Sequence, residues 1–338
     1  MTSRAVGRVL TWGVLGAAKI ARERVVPAVR QSPLHRFSAI ASRDFATARL
    51  AAQLLGIERA YAGYDALLRD IAVDAVYVPL PNHMHVEWTL RSIEAGKHVL
   101  CEKPLAFRAA DVRRIADAAR AAGVIAMEGF MVLAHPRWRA VQNLIRSGII
   151  GDLGTIHVTF SNPNFDPRNI RNRRETGGGA LLDKGCYCLA LARFLFGEEP
   201  TAVLASRDID PAFGIDRATA GVLRFSRGLA TVHCSSQDAP HQHLTVIGTG
   251  GRIEVPVPMT PSDDTPTRIE IHAIREGAHP DVQELIFDLC NQYRLMFDGF
   301  AQAVFHGDDL PVPLSFSEGN AGVLEQILRL EAAQAASG

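Results

Sequence analysis

At 338 residues the chain exceeds the size that one hydrophobic core serves comfortably, so two domains are expected. Hydrophobic residues make up 47% and charged residues 21%, ordinary for a globular enzyme, and 36 basic against 36 acidic residues leave no net field to attract nucleic acid or an anionic membrane. Five cysteines, an odd number in a long chain, argue against a disulfide framework and for a reducing, cytoplasmic compartment.

No run approaches the ~18 apolar residues that span a bilayer, so no membrane segment is expected. Arg4 and Arg8 ahead of VLTWGVLGAA have the look of a signal peptide, but KIARERVVPAV continues as an amphipathic helix. Cys186 and Cys188 lie too close together for a zinc knuckle, and the histidines lack HExxH-type spacing, so no metal is expected.

Residues 8–15 read as a strand, and 16–21 as the turn into a helix ending near Gln31. Gly16 and Ala21 fit the first and third positions of a dinucleotide fingerprint, while Ala18 replaces the glycine where backbone nears a pyrophosphate. Gly16, Ala18, Lys19 and Ile20 are the candidate pyrophosphate contacts, because a helix N-terminus suits that group. Taken alone, the motif is equally an ordinary βα turn. Residues 36–41 form the second strand, ending in Ser42-Arg43-Asp44. An NAD enzyme usually places an acid at this strand tip; a hydroxyl and a guanidinium suit a 2′-phosphate instead. Given a nucleotide site, Ser42 and Arg43 imply NADP, with NAD as the alternative; otherwise Arg43 is a solvated turn residue. Asp44 can cap the next helix.

A helix over 45–55, a short strand and helix over 61–70, a strand over 73–80, a helix over 111–122 and a strand over 124–130 follow. This alternation predicts an α/β Rossmann domain, a doubly wound parallel sheet, over residues 1–130. After a helix over 136–147, strands dominate: 155–161, 202–207, 218–225, 229–235, 244–248, 252–255 and 268–273. Helix returns at residue 281 and again after Ser317. Residues 131–338 therefore read as an α+β domain with a large, mostly antiparallel sheet and helices on one face.

Within 78–106, a helix starts near residues 83–86 and stops at Gly96, and residues 97–101 form a buried strand. Glu102-Lys103-Pro104 falls just past that strand's carboxyl end, where ligands sit in open α/β sheets. By itself, Lys103 is equally a surface lysine before a helix-opening proline. The set Pro79, Pro81, Asn82, His85, Ala95, Gly96, Lys97, His98, Val99, Glu102, Lys103 and Pro104, however, resembles the signature of the Gfo/Idh/MocA family, the glucose–fructose oxidoreductase relatives. The resemblance implies a catalytic role for Lys103 and places Asn82 and His85 near the nicotinamide end of the cofactor. Pro79, Pro81 and Glu102 are further cofactor-contact candidates from the same signature.

Thr176-Gly177-Gly178-Gly179 precedes a long apolar helix in which Asp183 and Tyr187, four apart, share one face. Gly185 between them costs ~1 kcal/mol relative to alanine in a helix, so it admits something close. Asp183 also reads as a first-turn acid favoured by the helix dipole, and Tyr187 as an interface tyrosine with a buried ring. GGGALLDxGxY resembles the branch containing glucose–fructose oxidoreductase, D-xylose dehydrogenase and dimeric dihydrodiol dehydrogenase. There an aspartate and a tyrosine complete the site, and other branches carry histidine where Tyr187 stands. Asn169-Ile170-Arg171 is similar to the xylose dehydrogenase members.

Oxidising an alcohol requires removal of a hydroxyl proton as hydride leaves carbon. Free tyrosine titrates near 10, and a neighbouring lysine cation favours the phenolate. Tyr187 is thus the expected acid/base, Lys103 its electrostatic partner and Asp183 a positioning group. The expected function is an NADP-dependent oxidoreductase of a sugar or cyclic polyol, an aldose 1-dehydrogenase of the D-xylose/D-glucose type. The alternatives are a trans-dihydrodiol dehydrogenase, a 1,5-anhydrofructose-type reductase, and a non-catalytic nucleotide sensor. The resemblance and an exposed sheet face imply a homodimer or homotetramer packed through the C-terminal sheet.

Overall fold

The computed structural model describes residues 7–274 and 281–335, so Arg4 lies outside it. The chain forms two compact units. One comprises Met1–Ala106, Ala110–Ala134 and Asn291–Glu318; the other comprises Phe107–Ala109, His135–Cys290 and Gly319–Gly338.

The first unit is built on β1 (Leu10–Leu15), β2 (His35–Ser42), β3 (Arg59–Ala62), β4 (Ala75–Val78), β5 (His98–Glu102) and β6 (Ala126–Gly129). They pair in parallel in the order β3-β2-β1-β4-β5-β6. Every residue of β1 and β4 is buried, as a parallel sheet covered on both faces demands. A π-helical turn over Ala21–Val25 leads into α1 (Val26–Val29), and α2 (Phe45–Leu55), α3 (Tyr64–Leu68), α4 (His85–Glu94) and α5 (Ala109–Ala122) follow their strands. The sheet order reverses at β1, so the crevice between the carboxyl ends of β1 and β4 is the nucleotide position of this topology.

The second unit carries α6 (Pro136–Arg146), β7 (Leu153–Ser161) and α7 (Cys186–Phe196), then β8 (Ala202–Ile209), β9 (Asp216–Arg224), β10 (Leu229–Ser235), β11 (His241–Gly248), β12 (Gly251–Val255), β13 (Thr267–Ala273) and β14 (Asp281–Phe287). The eight strands lie in the order β14-β13-β12-β11-β7-β10-β9-β8. Only the β7–β10 pair is parallel; the rest are antiparallel. The helix expected from residue 281 is instead β14. Val282, Leu285 and Ile286 have helical spacing, but DVQELIF pairs with β13 along its whole length. Backbone pairing at the sheet edge overrides the local pattern.

α7 buries ten of its eleven residues, against a sheet face that includes Cys234. The opposite face of the sheet presents Leu204, Val222, His157 and His233, with Leu204 69% exposed.

α8 (Gln292–His306) belongs to the first unit, and α9 (Leu314–Ala335) runs from it into the second. Phe297 and Phe300 of α8 pack on Trp12 of β1, with centroids 4.8 and 5.4 Å apart. Trp12 Nε1 donates to His35 Nδ1 at 3.0 Å, and His35 Nε2 meets Asp298 Oδ1 at 3.0 Å. The expected division into 1–130 and 131–338 differs from the compact units in this segment, because four aromatic rings of the first unit gather around Phe297.

Candidate active site

On the first unit, the turns after β1, β2, β4 and β5 lie along the carboxyl edge of the sheet. Gly16 has φ +101°, and a Cβ there would meet Leu80 Cδ2 at 2.9 Å, so the turn after β1 closes against the turn after β4 only with glycine. Ala18 and Ile20 are half-buried, and exposed Lys19 pairs with Glu23 at 3.7 Å. At the tip of β2, Asp44 is the N-cap of α2, its carboxylate accepting from the backbone N–H groups of Ala46 and Thr47 and from Thr47 Oγ1. Ser42 and Arg43 are thus the polar side chains left at the tip. Burial pushes the Tyr64 phenol up, and the charge on the nearby Arg43 guanidinium works against that.

The turn after β4 holds Pro79 and Leu80, both buried, and half-buried Pro81 and Asn82. His85, placed by the signature near the nicotinamide, has a fully buried ring. Its Nδ1 lies 2.8 Å from the Pro104 carbonyl and its Nε2 2.7 Å from the Leu80 carbonyl. Burial, with a smaller push from the charge on Lys103, lowers its pKa to about 4, although both carbonyls favour protonation. Burial is the largest of these influences and keeps the ring neutral near pH 7.

Lys103 is half-buried just beyond β5, ahead of a cis Lys103-Pro104 bond. Glu102, also a cofactor-contact candidate, accepts the Tyr77 hydroxyl at 2.7 Å from inside the sheet. Leu105 N donates to Glu128 Oε1 at 2.7 Å. Two other signature residues are ties as well. Lys97 Nζ donates to the Asp70 and Val73 carbonyls, each at 2.8 Å, and His98 Nδ1 accepts from Ile125 N at 3.0 Å.

On the second unit, a π-helical turn over Leu181–Gly185 precedes α7. Such turns are rare and recur at functional sites. Asp183 lies in it, and Tyr187 lies in the first turn of α7. Asp183 Oδ1 accepts from Arg171 Nε at 2.9 Å, and Oδ2 accepts from Lys184 Nζ at 3.1 Å. Tyr187 is 6% exposed, its ring edge-on to Phe160 at 6.0 Å. A Cβ on Gly185 would stand 3.0 Å from Cys234 Sγ and Leu181 Cδ1, the close approach that the sequence called for.

The whole turn hangs on Asp216, which the sequence did not single out. Its buried carboxylate accepts from Leu181 N at 2.7 Å, Thr219 Oγ1 at 2.8 Å and Arg207 Nη2 at 3.1 Å. Burial raises its pKa, and Arg207 and these hydrogen bonds oppose the rise. Gly179, at φ +117°, leaves room for that carboxylate. The run of three glycines is the sequence feature that could have pointed to a close approach here. Lys184, with a side chain only 7% exposed, was likewise not singled out.

The profile described as an oxidoreductase family with an NAD-binding Rossmann fold matches residues 10–130, and that of the GFO/IDH/MocA C-terminal domain matches residues 138–254. The chain belongs to the Gfo/Idh/MocA oxidoreductase family. Among its Gfo/Idh/MocA relatives, an uncharacterised oxidoreductase of Rhizobium meliloti is 41% identical over 94% of this chain and 96% of its own. A D-xylose 1-dehydrogenase (NADP(+)) of Haloferax volcanii is 37% identical over 88% of this chain and 90% of its own. The crystal structure of a 3-ketoreductase from Actinomadura kijaniata, in complex with NADP and TDP-benzene, superimposes with a TM-score of 0.87 at 30% identity, covering 95% of this chain and 98% of that one.

Proposed function

We propose that this Gfo/Idh/MocA member is an NADP-dependent oxidoreductase of sugars or cyclic polyols, and specifically an aldose 1-dehydrogenase of the D-xylose/D-glucose type. The observation that carries the substrate side is the π-helical turn, in which Asp183 is fixed by two cations four residues before Tyr187. The Haloferax volcanii D-xylose 1-dehydrogenase supports the choice of substrate.

The cofactor side fits NADP. Gly16 keeps the turn after β1 free of side chain, and capture of Asp44 as a helix cap leaves Ser42 and Arg43 for a 2′-phosphate. Gly16, Ala18, Lys19 and Ile20 hold the pyrophosphate at a helix start, and Pro79, Pro81, Asn82 and Glu102 border the nicotinamide side. A bound nicotinamide supplies the hydride acceptor. In this reading Tyr187 takes the hydroxyl proton, the Lys103 ammonium stabilises the resulting phenolate and orients the same hydroxyl, and Asp183 with Arg171 binds neighbouring hydroxyls.

A second reading runs the same residues in the reductive direction on a nucleotide-linked keto sugar. The loop before the π turn favours it, with Arg168, Arg171, Arg173 and Arg174 exposed, and so does the Actinomadura kijaniata 3-ketoreductase. Assaying wild type, Lys103→Met and Tyr187→Phe with NADP and an aldose panel, and with NADPH and a 3-keto nucleotide sugar, tests both. Turnover of an aldose that both substitutions abolish is the expected result; turnover of the keto sugar alone selects the second reading.

The assembly we propose is a homodimer or homotetramer through the open face of the eight-stranded sheet. Leu204, Ser206, Ala220, Val222, Thr231 and Thr159 on β7 to β10 form an uncharged patch there, suited to a second copy of itself.

A further inference from the structure

β4 and β5 are neighbours in the parallel sheet, with Val78 opposite Cys101, and each ends in a proline-containing turn. One imidazole, that of His85, touches both turns. It meets the Leu80 carbonyl in the first and the Pro104 carbonyl in the second, and no part of its surface reaches solvent. A group so enclosed has no access to substrate or nicotinamide. What it does reach is the peptide unit next to Lys103.

The residues around Lys103 are each held by a side chain from a different element. Glu102 is held by Tyr77 of β4, Pro104 by His85 of α4, and Leu105 by Glu128 of β6. Glu128 is 2% exposed and Tyr77 fully buried, so these are internal anchors. The Pro104 bond acts immediately after Lys103, at a position where proline has no N–H of its own to be held by.

We propose that His85 is a positioning residue for Lys103, acting through the hydrogen bond from Nδ1–H to the Pro104 carbonyl. A neutral imidazole has one N–H and so donates to one of the two carbonyls. The proposal commits that proton to Pro104, so that the Leu80 carbonyl, 2.7 Å from Nε2, faces the unprotonated nitrogen. It rests on the reading that Lys103 works in the reaction, and it gives the signature histidine a reason to be there other than touching the cofactor.

Two amide substitutions separate the ring nitrogens. An asparagine amide nitrogen takes the place of Nδ1, and a glutamine amide nitrogen that of Nε2. His85→Asn therefore keeps the Pro104 bond and loses the Leu80 contact, and His85→Gln does the reverse. The expected result is that His85→Gln loses about 10–100-fold in kcat, since misplacement of a catalytic group by ~1 Å costs on that order. NADPH affinity of His85→Gln, read by nucleotide fluorescence without turnover, stays at the wild-type value. Its pH–rate profile moves upward, in the same direction as that of Lys103→Met. His85→Asn loses several-fold less kcat than His85→Gln, and its profile moves less.

Thermal midpoints of both variants establish that they are folded. Equal losses in the two variants, a loss in His85→Asn alone, or wild-type kcat in both would each overturn the proposal. Lys103→Met, run alongside, separates the failures. If it turns over normally, the reading of Lys103 falls, whatever the histidine variants do; if it is crippled while His85→Gln is not, only the positioning role falls.

Discussion

Arg171 donates its Nε–H to Asp183 at 2.9 Å, so the aspartate that the sequence marked as a positioning group is itself positioned. The arginine side chain is 47% exposed, and an ion pair that open is worth ~1 kcal/mol or less to stability. Arg171→Ala should thus shift the thermal midpoint little. Because it frees Asp183 to swing towards Lys184, it should lower kcat/KM for the sugar about 10–100-fold. Steady-state kinetics beside a melting curve reads both, and an unchanged kcat/KM would contradict the role given to Asp183.

Arg43 and Asp44 are adjacent and take opposite parts. Arg43→Ala should raise KM for NADP far more than KM for NAD, because the lost guanidinium matches only a phosphate. Asp44→Ala should lower the melting midpoint by uncapping α2 and leave the NADP-to-NAD ratio where it was. A wild-type enzyme that already prefers NAD would sink the assignment.

Tyr187→Phe should cut kcat by ~10²–10⁴-fold, the usual worth of general acid–base catalysis, with NADP binding retained. Lys103→Met should also cripple turnover, and the double variant should lose much less than the product of the two losses, since the pair acts as a unit. Multiplicative losses would mean that the two residues serve different steps.

His85 and His135 are both held neutral by burial, with pKa values lowered from 6.5 to about 4 and about 3. The unfolded chain binds more protons than the folded one between those values and 6.5, so stability rises with pH across that window. It is fully present above pH 6.5 and lost as pH falls towards 4 and then 3. For fully buried His85 the effect is at most ~3 kcal/mol. Urea midpoints measured from pH 7 down to 4 should fall steadily, and a flat series would falsify this account.

Light scattering should return a multiple of the 36.7 kDa chain mass. Val222→Arg, placed in the uncharged part of the sheet face, should return a single chain without changing NADP binding. A wild-type particle of one chain at micromolar concentration rules the sheet-mediated assembly out.

Much of this fold was legible because its periodicities are local. β2, α2, α4 and β7 to β13 fall within a few residues of where apolar spacing and glycine put them. β14 was not, because Val282, Leu285 and Ile286 satisfy a helical pattern and only β13 decides against it. Lys103, Asp183 and Tyr187 were legible as residue types in a signature. Their supports were not: Asp216 lies far along the chain from Leu181, and nothing in its own surroundings announces the bond. His85 was legible only as a signature position. A signature marks which residue matters without saying whether it touches a ligand or a carbonyl, and burial decides that.

Asn291–Glu318 packs with the first unit, yet it follows nearly the whole of the second in the sequence. On the ribosome, β1 to β6 emerge long before the helix carrying Phe297 and Phe300, and until then Trp12 has lost two of its aromatic neighbours. The nucleotide-side unit is therefore begun before residues 135–290 of the second unit are made and finished only after them. A nascent chain halted before residue 291 exposes an aromatic surface that chaperones bind and that proteases reach.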